Sequence, residues 1–165
     1  MSHDLKPSLA RQVLADPIHW LAFGFGAGLA PIAPGTWGSA LAVAIYWWLA
    51  PIPLTIFAVA LVIMFIGGIW ICGVSARRLG IHDHSGIVWD EIVGMLIVLM
   101  FLPAEPLWMG AAFLAFRLFD IWKPWPIRDL DHSVSGGLGI MLDDVLAAVY
   151  AALLTVPLQR ILAAP

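Results

Sequence analysis

Charge is scarce in this chain: 12% of 165 residues are charged, against 62% AVILMFWYC. A soluble domain carries about 25% charged residues and roughly 45–50% apolar ones even with glycine counted. A chain this small with so few polar side chains cannot cover a water-facing surface. The mean hydropathy of +0.94 agrees. Positive charge is not in excess, the formal net charge being −3, which excludes a basic nucleic-acid footprint. The single cysteine, Cys72, excludes an internal disulfide and a multi-cysteine zinc site. The first 17 residues, MSHDLKPSLARQVLADP, lack the apolar stretch a signal peptide needs, so the N-terminus is expected to be retained. There is no internal repeat, low-complexity tract or linker. These absences leave an integral membrane protein, residues 1–165, built as a single domain.

The apolar runs predict an all-α polytopic membrane helical bundle. Leu54–Val74 is 21 residues without a charge, enough for a transmembrane helix of about 20 residues. Trp37–Ala50 precedes it across Pro51-Ile52-Pro53, a helical hairpin. Ile92–Leu102 and Leu107–Phe119 flank Pro103-Ala104-Glu105-Pro106, and Leu138–Leu158 is the last run. Trp20–Ala30 is too short to span and reads as re-entrant. The count is four to five membrane segments. Lys6, Arg11, Arg77, Arg78, Lys123 and Arg128 fall on one side and only Arg160 on the other, which makes the first side cytoplasmic.

That topology gathers Thr36, His82, Asp83, His84, Asp90, Glu91, Arg117, Asp120, Lys123, Asp143 and Asp144 at one membrane face. A carboxylate within an apolar run costs about 2.5–3.5 kcal/mol at mid-bilayer, so such residues ask for an explanation. Asp90-Glu91 reads either as a helix N-terminal pair favoured by the dipole or as a hard-cation site of carboxylate oxygens. Gly94 shares a face with Asp90 and permits close helix approach. Asp143-Asp144 admits the same two readings, but lies a turn inside its run, which favours the functional one. Its acids point about 100° apart, and Gly136, Gly137 and Gly139 upstream would let backbone N–H groups approach a phosphate.

Arg117, Asp120 and Lys123 recur every three residues on one helical arc that Pro124 should end. They suit an Arg–Asp bridge and membrane anchoring, and equally phosphate binding. Trp122 and Trp125 suit the headgroup belt. His82-Asp83-His84-Ser85-Gly86 reads first as a turn with Ser85 capping a helix from Ile87, and second as a proton carrier or metal ligand. Thr36 reads as an N-cap whose hydroxyl could also face a phosphate. His3, His19 and His132 carry no argument beyond surface placement. Cys72 to Arg78 matches the Cys-x5-Arg signature of cysteine phosphatases, but a cysteine ending an apolar helix lacks the free loop amides that chemistry needs.

With those residues assembled, the chain resembles the phosphatidylglycerophosphatase A family of bacterial inner membranes. The resemblance rests on FGFGAGLAPIAPGTWGS, GIHDHSGIVWDEIVGM, FRLFDIWKPWPIRDLD and GGLGIMLDDVLA, four motifs in order between residues 23 and 148. It implies an Mg²⁺-dependent phosphatase converting phosphatidylglycerophosphate to phosphatidylglycerol and phosphate, embedded in the bilayer with its site on the cytoplasmic side. Carried over by position, the polar motif residues are Thr36, His84, Asp90, Glu91, Arg117, Asp120, Lys123, Asp143 and Asp144. Asp90, Glu91, Asp143 and Asp144 are then expected to hold Mg²⁺, with water or an Asp, such as Asp143, as nucleophile. Thr36, Arg117 and Lys123 are expected on the phosphate, His84 in proton transfer and Asp120 orienting Arg117. A phospholipid headgroup transferase would instead carry one compact Asp-x2-Asp-Gly…Asp-x3-Asp array. A transporter or channel would place ionisable residues through both leaflets, whereas the outer connectors here are nearly bare.

Overall fold

In the computed structural model, which describes residues 8–81 and 84–163 (the side chains of Asp131 and His132 excepted), every regular element is a helix. His3, Lys6, His82 and Asp83 lie outside the described residues, as does the side chain of His132. The helices are α1 Leu9–Ala15, α2 Pro17–Ala22, a 3₁₀ segment Gly24–Leu29, α3 Pro34–Leu49, α4 Leu54–Leu79, α5 Trp89–Leu99, α6 Pro106–Trp122, α7 Ile127–Ser133 and α8 Gly137–Leu162. Proline opens α2, α3 and α6, where its missing N–H costs nothing and its fixed φ suits a helix. Gly80, at φ 71°, closes α4. Lys123, at φ 45°, closes α6 just before Pro124.

Among the described residues, only α4 and α8, 26 residues each, are long and apolar enough to cross a membrane unaided. Two of the expected segments thus reach membrane length on their own. The helices α3, α5 and α6 have 16, 11 and 17 residues, because the connectors around 51–53, 100–105 and 123–126 cut them short of about 20. Residues 100–102 are turn rather than the end of α5. Large apolar side chains nonetheless face outward, among them Ile63, Ile66, Ile121 and Leu153, an exposed belt that water would not favour.

α8 is the central helix, packed against α4, α5, α6 and α7. Its glycines explain how it gets so close. A Cβ on Gly137 would sit 1.8 Å from the Ile69 carbonyl oxygen, and one on Gly139 would sit 2.0 Å from that of Val134. Gly137 and Gly139 are thus contact surfaces between backbones, whereas a Cβ on Gly136, at φ 78°, would meet nothing within 4 Å. α3 carries a second such face, Gly35, Gly38, Ser39, Ala42 and Tyr46, at helical spacing; it seats α3 on Val88 and α5. The Tyr46 hydroxyl closes the far end, donating to the Leu102 carbonyl at 2.9 Å.

Several local expectations change. Thr36 is not an N-cap: α3 begins at Pro34 behind Ala33, so Thr36 sits inside the first turn. Residues 84–87 do form a turn, with the Ile87 N–H donating to the His84 carbonyl at 2.7 Å. The following helix starts at Trp89, and Ser85 does not cap it. Trp20–Ala30 is the end of α2 plus the 3₁₀ segment, held by the Val88 N–H to the Ala22 carbonyl at 2.9 Å. His19 is buried rather than at the surface. Its Nδ1 lies 2.8 Å from Ser75 Oγ, and burial pushes the imidazole below the usual histidine range. With Asp16 paired to Arg78, it pins α2 to the end of α4. Cys72 is fully buried within α4, its Sγ 3.9 Å from Met141 Sδ, so no free-amide loop surrounds it and the Cys-x5-Arg match is coincidental.

Candidate active site

The chain direction brings four helix ends to one end of the bundle: the starts of α3, α5 and α8 and the last turns of α6. A cavity of about 330 Å³ opens there, lined by Gly35, Asp90, Glu91, Arg117, Asp120, Lys123, Asp143 and Asp144 among others. Seven of the nine polar residues singled out in the sequence line this one pocket. Thr36 and His84 do not. His84 lies next to Ser85, which does, and its Nδ1 accepts the Gly86 N–H at 3.0 Å.

The carboxylates divide into two roles. Asp90, Glu91 and Asp144 each offer an oxygen within 4.8 Å of the other two. Asp90 and Asp144 are buried, 8% and 2% exposed. Asp90 Oδ1 and Glu91 Oε2 are buried and accept no hydrogen bond among the described residues. Buried acceptors are normally satisfied, and three ionised acids so close repel one another. A divalent cation would resolve both problems, since hard cations take carboxylate oxygens; the donor set fits Mg²⁺. Asp143 stands apart from this trio and meets Lys123 Nζ at 2.6 Å. Asp120 is 2.5 Å from Arg117 Nη1, whose other carboxylate neighbour is Glu91 at 3.9 Å.

Helix position settles the capping question for one pair. Asp90 and Glu91 do lie in the first turn of α5, so the dipole favours them. Asp143 and Asp144 lie about 10 Å beyond the start of α8, by helix rise, too far inside to cap. Gly94 makes room for the approach of α8 and α6: a Cβ there would meet Phe116 at 2.8 Å and the Asp144 carbonyl at 3.0 Å.

Three comparisons bear on this geometry. A family profile described as phosphatidylglycerophosphatase A matches residues 20–159. The chain belongs to the phosphatidylglycerophosphatase A family. Among relatives, it is 44% identical to phosphatidylglycerophosphatase A of Escherichia coli over 87% of this chain and 84% of that one. It is 45% identical to phosphatidylglycerophosphatase A of Haemophilus influenzae over 88% and 91%. A Bacteroides thetaiotaomicron relative, 42% identical over 79% of this chain and 86% of its own, carries the provisional name phosphatidylinositol-3-phosphatase. No solved structure matches. The lipid-phosphatase class implied by the sequence resemblance therefore stands for this phosphatidylglycerophosphatase A family member.

Gly35 is the lining residue that sequence reading passed over. A Cβ on it would lie 2.0 Å from Glu91 Oε1 and 3.1 Å from Arg117 Nη1. The signal was present in the small-residue spacing of Gly35, Gly38, Ser39 and Ala42, which marks a helix-contact face. Gly35→Ala should leave thermal stability nearly unchanged, because the atoms it meets are the far ends of the Glu91 and Arg117 side chains rather than backbone. Turnover should fall about 100-fold, the scale of loss when a site group is displaced by an ångström. Phosphate release and a melting curve on one preparation check both halves.

Proposed function

We propose that this chain removes the terminal phosphate of phosphatidylglycerophosphate with a divalent cation, from the cytoplasmic side of a bacterial inner membrane. The observation that carries the reading is the convergence of Asp90, Glu91 and Asp144, with orphaned buried oxygens, beside a paired arginine in one pocket. Asp90, Glu91 and Asp144 would hold the cation; when bound, it supplies Lewis-acid polarisation and a water of lowered pKa. Arg117, oriented by Asp120, presents its fork to phosphoryl oxygens and offsets charge developing on them. Lys123, held by Asp143, adds a second positive charge at the pocket rim. His84 is the candidate hydrogen-bond donor to the leaving oxygen: with Nδ1 accepting from Gly86, the neutral ring carries its proton on Nε2, while the proton the alkoxide takes up would come from the attacking water. Thr36, one turn inside α3, would contact the headgroup from that side.

The scattered positions of the acids along the chain argue against the headgroup-transferase alternative, and the one-ended pocket argues against a channel. The decisive measurement is phosphate release in detergent from phosphatidylglycerophosphate, with Mg²⁺ and with chelator, beside phosphatidylinositol 3-phosphate. Mg²⁺-dependent release from the first at the higher kcat/KM is expected. Preference for the second would transfer the reading to the inositol lipid, and release from neither would refute it.

In the membrane, α4 and α8 would cross fully, with α3, α5 and α6 completing a five-segment bundle. Ala104→Cys should then react with an impermeant thiol reagent in intact cells and Asp129→Cys should not. The reverse pattern would invert the topology.

A further inference from the structure

Between α3 and α6, two of the helices that wall the pocket, lies an apolar groove of about 420 Å³. On α6, Gly110 and Phe113 lie on the same helical stripe as Arg117 and Ile121 of the pocket, at spacings of three and four residues. On α3, Ala40, Val43 and Trp47 continue the stripe that begins at Thr36. The polar chamber and the open apolar trough thus share two helices, the trough lying further along them. From Gly35 to Trp47 the helix rise gives about 18 Å, close to one leaflet, half of a roughly 30 Å hydrocarbon core.

We propose that this groove seats one acyl chain of the substrate lipid, so that the lipid enters sideways from the bilayer and its phosphate reaches the carboxylates from the α3–α6 side. The proposal rests on the lipid-phosphatase reading above and adds the direction of approach and the seat of the tail. Its place on α6, the helix that carries Arg117 into the pocket, singles this groove out. The apolar depression lined by Ala58, Val62 and Ile97 is walled by α4, α5 and α8 instead, with no residue of α6. The one glycine in the trough is also informative. A Cβ on Gly110 would have no heavy atom within 4 Å, so the groove is open space rather than a helix contact.

That openness makes the test clean, because Gly110→Leu fills the trough without touching the protein and replaces a poor helix former by a good one. Ala40→Leu fills it from the opposite wall, and Ala58→Leu is the control on the other face. Kinetics in detergent with Mg²⁺ should compare long-chain phosphatidylglycerophosphate with its deacylated, water-soluble headgroup, which has the same phosphomonoester. Gly110→Leu and Ala40→Leu should lower kcat/KM for the long-chain lipid about tenfold or more, leave the deacylated compound unchanged, and Ala58→Leu should change neither. A second readout needs no catalysis: a phosphatidic acid with a diazirine in its acyl chain should crosslink to residues 106–113 in the wild type and not in Gly110→Leu. Wild-type kinetics on the long-chain lipid in both groove variants, or equal losses on both substrates, would overturn the proposal. Crosslinking that ignores Gly110→Leu would overturn it too. A wild type inactive on both substrates but still crosslinked at 106–113 would refute the catalytic reading and keep the lipid seat.

Discussion

Asp144→Asn protein should fold, insert and hydrolyse lipid phosphomonoester at close to background rate. The substitution is nearly isosteric and removes one negative charge from a residue only 2% exposed. A lost cap cannot explain a defect, since α8 begins seven residues earlier at Gly137. What is lost is one of three carboxylates whose oxygens lie within 4.8 Å. Removing one preorganised electrostatic group from an active site costs about 10²–10³-fold in turnover, and weaker cation binding should shift the Mg²⁺ activation curve to higher concentration as well. Asp90→Asn should behave alike. Glu91→Gln should lose less, because Glu91 also faces Arg117 at 3.9 Å. Stability should move the opposite way: without metal, fewer mutually repelling acids remain, so the metal-free Tm of Asp144→Asn should exceed that of the wild type. Wild-type Mg²⁺ curves in all three variants would refute the metal site.

The second large effect is expected at Arg117. Arg117→Lys keeps the charge, and with it the positive-inside bias that orients the chain. It removes the planar fork, which lysine cannot reproduce. In the wild type Asp120 holds one end of that fork at 2.5 Å, while Nε is buried without a hydrogen bond among the described residues, a donor available to a phosphate. Turnover should fall about 100-fold or more with membrane orientation unchanged. Lys123→Arg should lose less, since Lys123 stands at the rim and grips Asp143. Near-normal kinetics in both would leave these residues as anchors.

Helical character, the proline-bounded connectors and the gathering of the acids could be read from the chain, because each depends on local composition or on the side taken by lysine and arginine; that α3 packs on α5 and α6 rather than back on α4 as a hairpin could not. Which acids meet could not. Asp143 and Asp144 diverge by about 100°, and only the packing of α8 against α5 at Gly94 turns Asp144 to Asp90 and leaves Asp143 to Lys123. The roles of Gly35 and Gly137 were hidden for the same reason: a glycine's spacing marks a close approach but not what approaches it. His19 was misread because nothing nearby in the sequence announces Ser75, 56 residues on. Helix ends were misjudged where apolar residues run on into turns, as at 100–102.

The unequal helix lengths have a consequence for the lipid itself. By helix rise, α4 and α8 reach about 39 Å, while α3 and α6, which wall the groove, reach only about 24–26 Å, less than a hydrocarbon core of about 30 Å. One flank of the protein is therefore thick and the other thin. Hydrophobic mismatch of this kind is met by local thinning of the bilayer. On the thin flank, headgroups and water would sink toward the carboxylates, shortening the path a phosphate must travel. Bilayer thickness then becomes a control on rate: reconstitution in shorter-chain lipids should speed the enzyme, and thicker membranes should slow it.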